Sequence, residues 1–366
     1  MRPVHILLPV TGSRYGGSGW EKVDQAWAQN SLDNNTRTNW ITSSFVTSAH
    51  ASKKWKLTAV YSRTEETARS FASKHSAETV YTSLDSLGSD SSIQAVYIAS
   101  PNSLHYSQAK LLLYADKHVI LEKPATSTVA ELDDLFRIAK EKNLFLLEAY
   151  RHIQEANFLR LRRALLEEKK LGKIYGASLT YASYSSRYTN VLAGAVPNIF
   201  SLDFSGGSLV DIGVYPIAFA VAIWGRPRAC SYSPFICPTG VDGGGFVTLR
   251  YDDAGFAVQI NQSKGYSSAA PSEIYGERGT VTLNATTDID SVELWTARTK
   301  ETEQLAREKA EHNLQEEAEE FARIVEQGDR DAAGRLEELS RIVIAITTEL
   351  RRQNGIVFAA EREARA

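Results

Sequence analysis

Short hydrophobic runs alternate with amphipathic segments between residues 55 and 149. Apolar and β-branched residues fill positions 56–62, 95–99 and 144–148, and each run is short enough to be one buried strand. The segments 65–74 and 127–142 carry apolar or small residues at helical spacing. Repeated β-α-β alternation is typical of parallel sheets with right-handed crossovers. The pattern therefore predicts an α/β domain with a doubly wound parallel sheet.

The pattern changes after about residue 149. Residues 175–184 alternate as a strand with one exposed face does. Further apolar stretches are separated by Gly and Asp turns rather than by helices: 245–251, 255–263 and 280–284. Two amphipathic helices follow, at 314–326 and 332–353. We therefore predict a domain over residues 1–149 and a C-terminal α+β domain over residues 150–366 with an open, mainly antiparallel sheet.

Composition narrows the class of protein. The 366 residues are 43% hydrophobic and 23% charged, as in ordinary globular proteins, and the length favours two domains. A net charge of −3 argues against a nucleic-acid or anionic-membrane surface spread over the molecule. No run approaches the roughly 18 apolar residues of a membrane span. Cys230 and Cys237 are too few and wrongly spaced for a zinc cluster, so we expect no metal and a reduced, cytoplasmic protein.

The sequence Glu122-Lys123-Pro124 follows directly on an apolar run at 118–121. Ligands of wound parallel sheets bind beyond the carboxyl ends of the strands. A lysine at such an end can bind or protonate a substrate oxygen, and Pro124 closes the strand because it has no N–H to donate. A Glu-Lys pair before a turn is more often simply solvated, but the surrounding strands favour a catalytic Lys123.

Several stretches together resemble the glucose–fructose oxidoreductase / inositol dehydrogenase (Gfo/Idh/MocA) family. They are residues 59–63, 97–105, 117–124, 206–216 and 316–321. Each stretch alone is weak evidence for the family, but the order and spacing of the stretches together are specific to it. The resemblance implies a nicotinamide-binding Rossmann domain followed by a domain whose open sheet often forms dimers. It implies an oxidoreductase that transfers a hydride between the nicotinamide and a secondary alcohol, with a polyol or sugar as substrate.

The resemblance also assigns catalytic residues. The catalytic lysine of the family falls on Lys123 and its aspartate on Asp211, whereas Tyr215 stands where most members have histidine. Tyrosine at this position is similar to the trans-dihydrodiol and xylose dehydrogenase branch. We expect Lys123 to lower the pKa of Tyr215, so that these two residues transfer the hydroxyl proton of the substrate. We expect Asp211 to orient them. The alternatives are that Tyr215 is a buried structural ring and that Asp211 caps a helix.

Cofactor preference follows from the end of the second strand. The sequence there is Ser62-Arg63-Thr64, with no acid until Glu65. NAD enzymes usually place an acid here for the ribose hydroxyls, whereas a 2′-phosphate needs positive donors such as Arg63. We therefore predict NADP(H), with NAD(H) possible in principle. Position in the fold predicts further cofactor contacts: Ser100, Pro101, Asn102, His105, Glu122 and Lys123.

The phosphate-binding turn departs from the family. No Gly-x-Gly-x-x-Gly follows the first predicted strand at residues 4–8. Residues 12–19 are rich in glycine but lie too far before the second strand. Residues 37–42 have the right distance, although Arg37 and Asn39 stand in place of the two critical glycines. We place the turn at this second position and expect its cofactor contacts from Thr38, Asn39, Trp40 and Ile41.

This placement leaves residues 11–36 as an atypical insertion. The segment is either specific to this lineage or an error in the gene model, and it leaves two alternatives to an active enzyme. One is a non-catalytic dinucleotide- or sugar-responsive regulator of the same fold, and the other is a product with a disrupted cofactor site. At the domain junction, Arg151 and His152 could contact nicotinamide or substrate.

Overall fold

The computed structural model describes residues 4–10 and 40–363. Six strands build the N-terminal sheet: β1 (Val4–Val10), β2 (Trp55–Ser62), β3 (Thr79–Tyr81), β4 (Ala95–Ile98), β5 (His118–Glu122) and β6 (Leu146–Ala149). Every hydrogen-bonded pair in this set is parallel. Since β1 lies beside β4, the strand order is 3-2-1-4-5-6, that of a Rossmann domain. The predicted doubly wound sheet is confirmed.

Helices cover this sheet: α1 (Trp40–Ala51), α2 (Glu65–His75), α3 (Leu84–Gly88), α4 (His105–Tyr114) and α5 (Val129–Glu141). Local sequence fixes where they begin. Thr64 caps α2, and Thr128 and Glu131 form a reciprocal capping box at the start of α5. All four residues of β4 are buried, as expected for a strand with helices on both faces.

The C-terminal sheet contains eight strands: β7 (Ile174–Ala182), β8 (Ala229–Ile236), β9 (Asp242–Tyr251), β10 (Phe256–Ser263), β11 (Ser272–Gly276), β12 (Gly279–Leu283), β13 (Val292–Thr296) and β14 (Thr302–Gln304). Their spatial order is 14-13-12-11-7-10-9-8. The β7–β10 pair is parallel, and the other hydrogen-bonded pairs are antiparallel. A mainly antiparallel sheet was expected, and the structure confirms it.

The remaining helices are α6 (Ala156–Leu166), α7 (Ser186–Leu192), α8 (Val214–Trp224), α9 (Gln315–Gln327), α10 (Arg330–Arg352) and α11 (Ala359–Glu363). The apolar α8 packs on the inner face of the large sheet, in one core with residues of β7, β9 and β10. A π-helical turn, Leu209–Gly213, leads into α8.

The chain returns to the first domain near its end. Ala318 and Phe321 of α9 share a buried core with Phe45 and Tyr97, and the Trp55 indole donates to the Ala318 carbonyl at 2.7 Å. The domain boundary at residue 149 remains a proposal, and α9 belongs spatially to the N-terminal sheet. Within residues 4–10 and 40–363, no helix has the length and apolar character that crossing a membrane requires.

Candidate active site

A cleft of about 230 Å³ opens between the two sheets. One wall comes from segments that follow strands of the N-terminal sheet or begin α1, and the other from the segment 187–215. Its lining residues are Trp40, Ile41, Ala99, Ser100, Pro101, Asn102, His105, Glu122, Lys123, Arg187, Asn198, Ile199, Phe204, Asp211 and Tyr215. The cleft lies beyond the carboxyl ends of β4 and β5, where wound sheets bind their ligands.

Lys123 extends from the end of β5 across this cleft. Its ammonium group donates to the Asp211 carbonyl oxygen at 2.6 Å and lies 3.3 Å from Asp211 Oδ1. Nζ also lies 4.6 Å from the centroid of the Tyr215 ring. Burial alone would lower the pKa of Lys123, but the electrostatic interactions with Tyr215 and Asp211 outweigh it and hold the pKa above its ordinary value. The side chain is therefore a cation at neutral pH.

Asp211 lies between two ammonium groups. Its Oδ2 pairs with Lys264, at the residue that follows β10, while Oδ1 faces Lys123. Burial would raise the pKa of Asp211, but Lys264 and Lys123 hold it well below its usual range. The sequence analysis missed Lys264, which stands 53 residues after Asp211. The centre therefore holds two cations and one anion rather than a single Lys–Asp pair.

Tyr215, in the first turn of α8, lines the cleft beside Lys123. Burial raises its pKa to about 12, and the charges of Lys123 and Arg151 offset this only in part. Lys123 lowers the pKa of Tyr215, as the sequence predicted, but the loss of hydration outweighs this effect and leaves the pKa above its ordinary value. Tyr215 is a neutral phenol at physiological pH and can donate a hydrogen bond to an oxygen in the cleft.

Arg151 and His152 pack against Tyr215 and do not line the described cleft. The Arg151 guanidinium makes two hydrogen bonds to Asp288, at 2.7 and 2.8 Å, and lies 5.9 Å from the Tyr215 ring centroid. His152 is fully buried with its ring edge-on to Tyr215 at 5.1 Å, and burial followed by the Arg151 charge lowers its pKa to about 3. Neither is among the described residues that line the cleft.

The predicted contacts after β4 and β5 lie together on one wall. His105 is buried, with its ring nitrogens 2.9 Å from the Pro124 carbonyl and 2.8 Å from the Ser100 carbonyl. It therefore joins the loops that follow the two strands. The Asn102 amide donates to the Ser205 carbonyl at 3.0 Å, which connects this wall to the other.

Glu122, at the end of β5, is buried and held by a neighbouring phenol. The Tyr97 hydroxyl donates to its Oε1 at 2.5 Å, and burial raises the pKa of Glu122. The Tyr97 hydroxyl therefore fixes Glu122 at the end of β5.

Only two of the four predicted phosphate-turn residues lie in the part of the chain that the structure describes. Thr38 and Asn39 lie outside the described residues, whereas Trp40 and Ile41 form the start of α1 and line the cleft. Ser62 is buried at the end of β2, and Arg63 beside it is exposed. Neither Ser62 nor Arg63 is among the described lining residues.

The opposite wall of the cleft comes from residues 187–215. Arg187 on α7 and Asn198 line the cleft together with Ile199 and Phe204. Gly206 and Gly207 follow, and a Cβ atom on Gly206 would lie 2.5 Å from the Ile199 carbonyl oxygen. Only glycine allows this close return of the chain before the turn that carries Asp211.

Two family models match the chain. The oxidoreductase family with an NAD-binding Rossmann fold covers residues 38–150, and the GFO/IDH/MocA C-terminal domain covers residues 159–282. The chain is 41% identical over 324 residues to YgjR, an uncharacterized oxidoreductase of Escherichia coli (strain K12), with 88% of this chain and 96% of YgjR covered.

Other relatives agree with this assignment. IolU of Bacillus subtilis (strain 168), a scyllo-inositol 2-dehydrogenase (NADP(+)), is 37% identical over 325 residues, which cover 89% of this chain and 97% of IolU. The crystal structure of KijD10, a 3-ketoreductase from Actinomadura kijaniata in complex with TDP-benzene and NADP, superposes with a TM-score of 0.70 at 21% identity, covering 94% of this chain and 97% of KijD10. That likeness shows the fold. The chain is an oxidoreductase of the Gfo/Idh/MocA family, with the Rossmann domain and C-terminal domain that define it.

Proposed function

We propose that this protein is an NADP(H)-dependent dehydrogenase or reductase for a secondary alcohol, either a sugar hydroxyl or a trans-dihydrodiol. The observation that carries this proposal is the Lys123 ammonium group in the cleft, fixed by Asp211 and lying against Tyr215. The nicotinamide supplies or accepts the hydride when bound. The residues of the chain bind the substrate and move the hydroxyl proton.

Both candidate proton donors hold their protons at neutral pH, since the pKa of Lys123 and that of Tyr215 are above their ordinary values. Such groups hydrogen-bond to a carbonyl oxygen and transfer a proton to it as it becomes a hydroxyl. In alcohol oxidation one of them must first lose its proton. The site is therefore set for carbonyl reduction near neutral pH and for oxidation at alkaline pH.

The described wall is compatible with a dinucleotide. The cleft lies at the switch point between β1 and β4, and α1 begins beside it, with Trp40 and Ile41 on its surface. Glu65, the first acid after β2, accepts from Arg69 one turn along α2 at 2.8 Å. Its charge is thus partly neutralised, which favours a 2′-phosphate at Arg63 over a 2′-hydroxyl bound by an acid.

Arg63→Ala should weaken NADPH binding by about tenfold or more while leaving NADH binding nearly unchanged, because a charge-assisted hydrogen bond contributes about 1.5–3 kcal/mol. Fluorescence titration of the purified protein with each cofactor measures both affinities. Arg137→Ala is the matched control, since it removes an exposed arginine on α5, outside the described cleft lining. Equal losses for the two cofactors would contradict the 2′-phosphate assignment.

The substrate class follows from the polar groups opposite Lys123. Arg187 and Asn198 offer donors to hydroxyl oxygens, while Ile199 and Phe204 give an apolar surface. Turnover should be tested with NADPH on inososes and ketoses, and with NADP⁺ on aldoses and trans-dihydrodiols. Saturable NADPH binding without any turnover would instead support the non-catalytic regulator.

We further propose a cytoplasmic homodimer formed through the outer face of the large sheet. Phe246, Tyr275 and Trp295 are exposed there, at 59%, 37% and 38% of their full surface. Strand register places Tyr275 and Trp295 on opposite sides of Thr280, on one face. Sedimentation velocity should give twice the mass of the chain, and Phe246→Glu should yield monomer because it buries a charge at the interface. A wild-type monomer at micromolar concentration would contradict this.

A further inference from the structure

The turn that carries Asp211 is π-helical over Leu209–Gly213 rather than part of the regular α8 helix. Such segments are rare and are frequent at functional sites. The backbone N–H of Leu209, at the start of the turn, donates to Asp242 Oδ2 at 2.7 Å. Asp242 opens strand β9 and is fully buried. A carboxylate from the large sheet therefore holds the beginning of the turn.

Neighbouring strands complete a buried network around Asp242. The Tyr232 hydroxyl of β8 donates to the same Oδ2 at 2.7 Å, and Gln262 Nε2 of β10 donates to the Tyr232 oxygen at 2.7 Å. The Ser208 hydroxyl, just before the turn, donates to Gln262 Oε1 at 2.5 Å. Three adjacent strands thus hold the two residues that lead into the Asp211 turn.

The turn also packs directly on this network. Gly207 has a φ of +134°, and a Cβ atom there would lie 2.3 Å from Asp242 Oδ1. A Cβ atom on Gly213, at the other end of the turn, would lie 3.0 Å from Gln262 Cγ. Both ends are therefore fixed against side chains of the sheet. Lys264, two residues beyond Gln262, pairs with Asp211 itself.

We propose that Asp242 is a positioning residue of the active site: through the Leu209 N–H and the Tyr232 hydroxyl it sets the π-helical turn so that Asp211 lies between Lys123 and Lys264. This inference rests on the proposed function, because its readout is hydride transfer. Removing a buried residue that orients a catalytic side chain commonly lowers activity by about 10–100-fold.

Tyr232→Phe tests the network with a small change, and Tyr251→Phe is its matched control. Both tyrosines are buried on the large sheet, and the Tyr251 hydroxyl donates to the Gly225 carbonyl at 3.1 Å, away from the turn. We expect Tyr232→Phe to lower kcat about tenfold with NADPH affinity unchanged, whereas Tyr251→Phe retains kcat within about twofold. Equal kcat values for the two variants would overturn the proposal.

A double-mutant cycle tests whether Asp242 acts through Asp211. Asp242→Ala should lower kcat about 100-fold in the wild type but only about twofold in an Asp211→Asn background. Asp242→Asn retains an acceptor for Leu209 and should recover most of the loss. If the effects of the two substitutions on kcat were fully additive in free energy, Asp242 would not act through Asp211, which would contradict a positioning role. If the wild type turns over no carbonyl substrate, the proposed function fails. If the wild type is active but Tyr232→Phe and Tyr251→Phe have equal rates, only the positioning role fails. If Asp242→Ala does not fold, the comparison of these two tyrosine variants tests the positioning role.

Discussion

Lys123→Ala should lower kcat about 1,000-fold while NADPH binds nearly as well as to the wild type. Removing the ammonium group takes away the cation that stabilises the developing negative charge on the substrate oxygen and supplies its proton. The other described residues of the cofactor wall remain in place. Steady-state rates with saturating carbonyl substrate, together with NADPH titrations, measure the two effects separately.

Lys110→Ala is the control for this prediction. Lys110 lies on α4 and pairs with Asp134 at 2.8 Å, outside the described cleft lining. It should keep kcat within about twofold, because a surface ion pair contributes little. A Lys123→Ala variant as fast as Lys110→Ala would remove Lys123 from the mechanism.

Asp211→Asn should reduce both activity and stability. The change leaves the ammonium groups of Lys123 and Lys264 facing each other without the buried anion that neutralises them. Breaking such a pair by removing one partner typically costs about 3 kcal/mol of unfolding free energy. We also expect kcat to fall about 100-fold, because Lys123 loses the group that orients it. Urea unfolding and steady-state kinetics provide the two readouts.

The double variant Asp211→Asn/Lys264→Met separates these effects. Replacing Lys264 removes one of the two unpaired cations, so the unfolding free energy should recover by about 1–2 kcal/mol. Activity should not recover, because Asp211 is still absent. A double variant less stable than Asp211→Asn would contradict the charge balance described for this centre.

Sequence patterns predicted strands β4 and β6 closely because both are buried throughout. Residues 95–99 read as a continuous apolar run, and the observed strand β4 is buried throughout. Sequence patterns predicted only some of the strands of the large sheet. Strands β8, β11, β13 and β14 were not predicted, since β14 is fully exposed and β8 alternates serines with few buried residues. Short polar strands obtain their order from neighbours rather than from their own sequence.

The candidate site shows the same division. Lys123 and Asp211 were predicted together from motifs, and the structure places them in contact. Lys264 was missed because pairing across a sheet and a helical turn has no local sequence signal. The sequence predicted that Lys123 lowers the pKa of Tyr215 but not the larger opposite effect of burial, because motifs indicate neighbouring charges but not the extent of burial.

In the proposed reaction, Lys123 donates the proton to the substrate oxygen during carbonyl reduction. Single-turnover oxidation of bound NADPH, followed by its fluorescence from about pH 6 to about pH 9, tests it most directly. The wild-type rate should stay nearly constant over this range, because Lys123 and Tyr215 both keep their protons, and the rate for Lys123→Ala should be at least about 100-fold lower throughout. A Lys123→Ala rate equal to the wild-type rate would contradict the account.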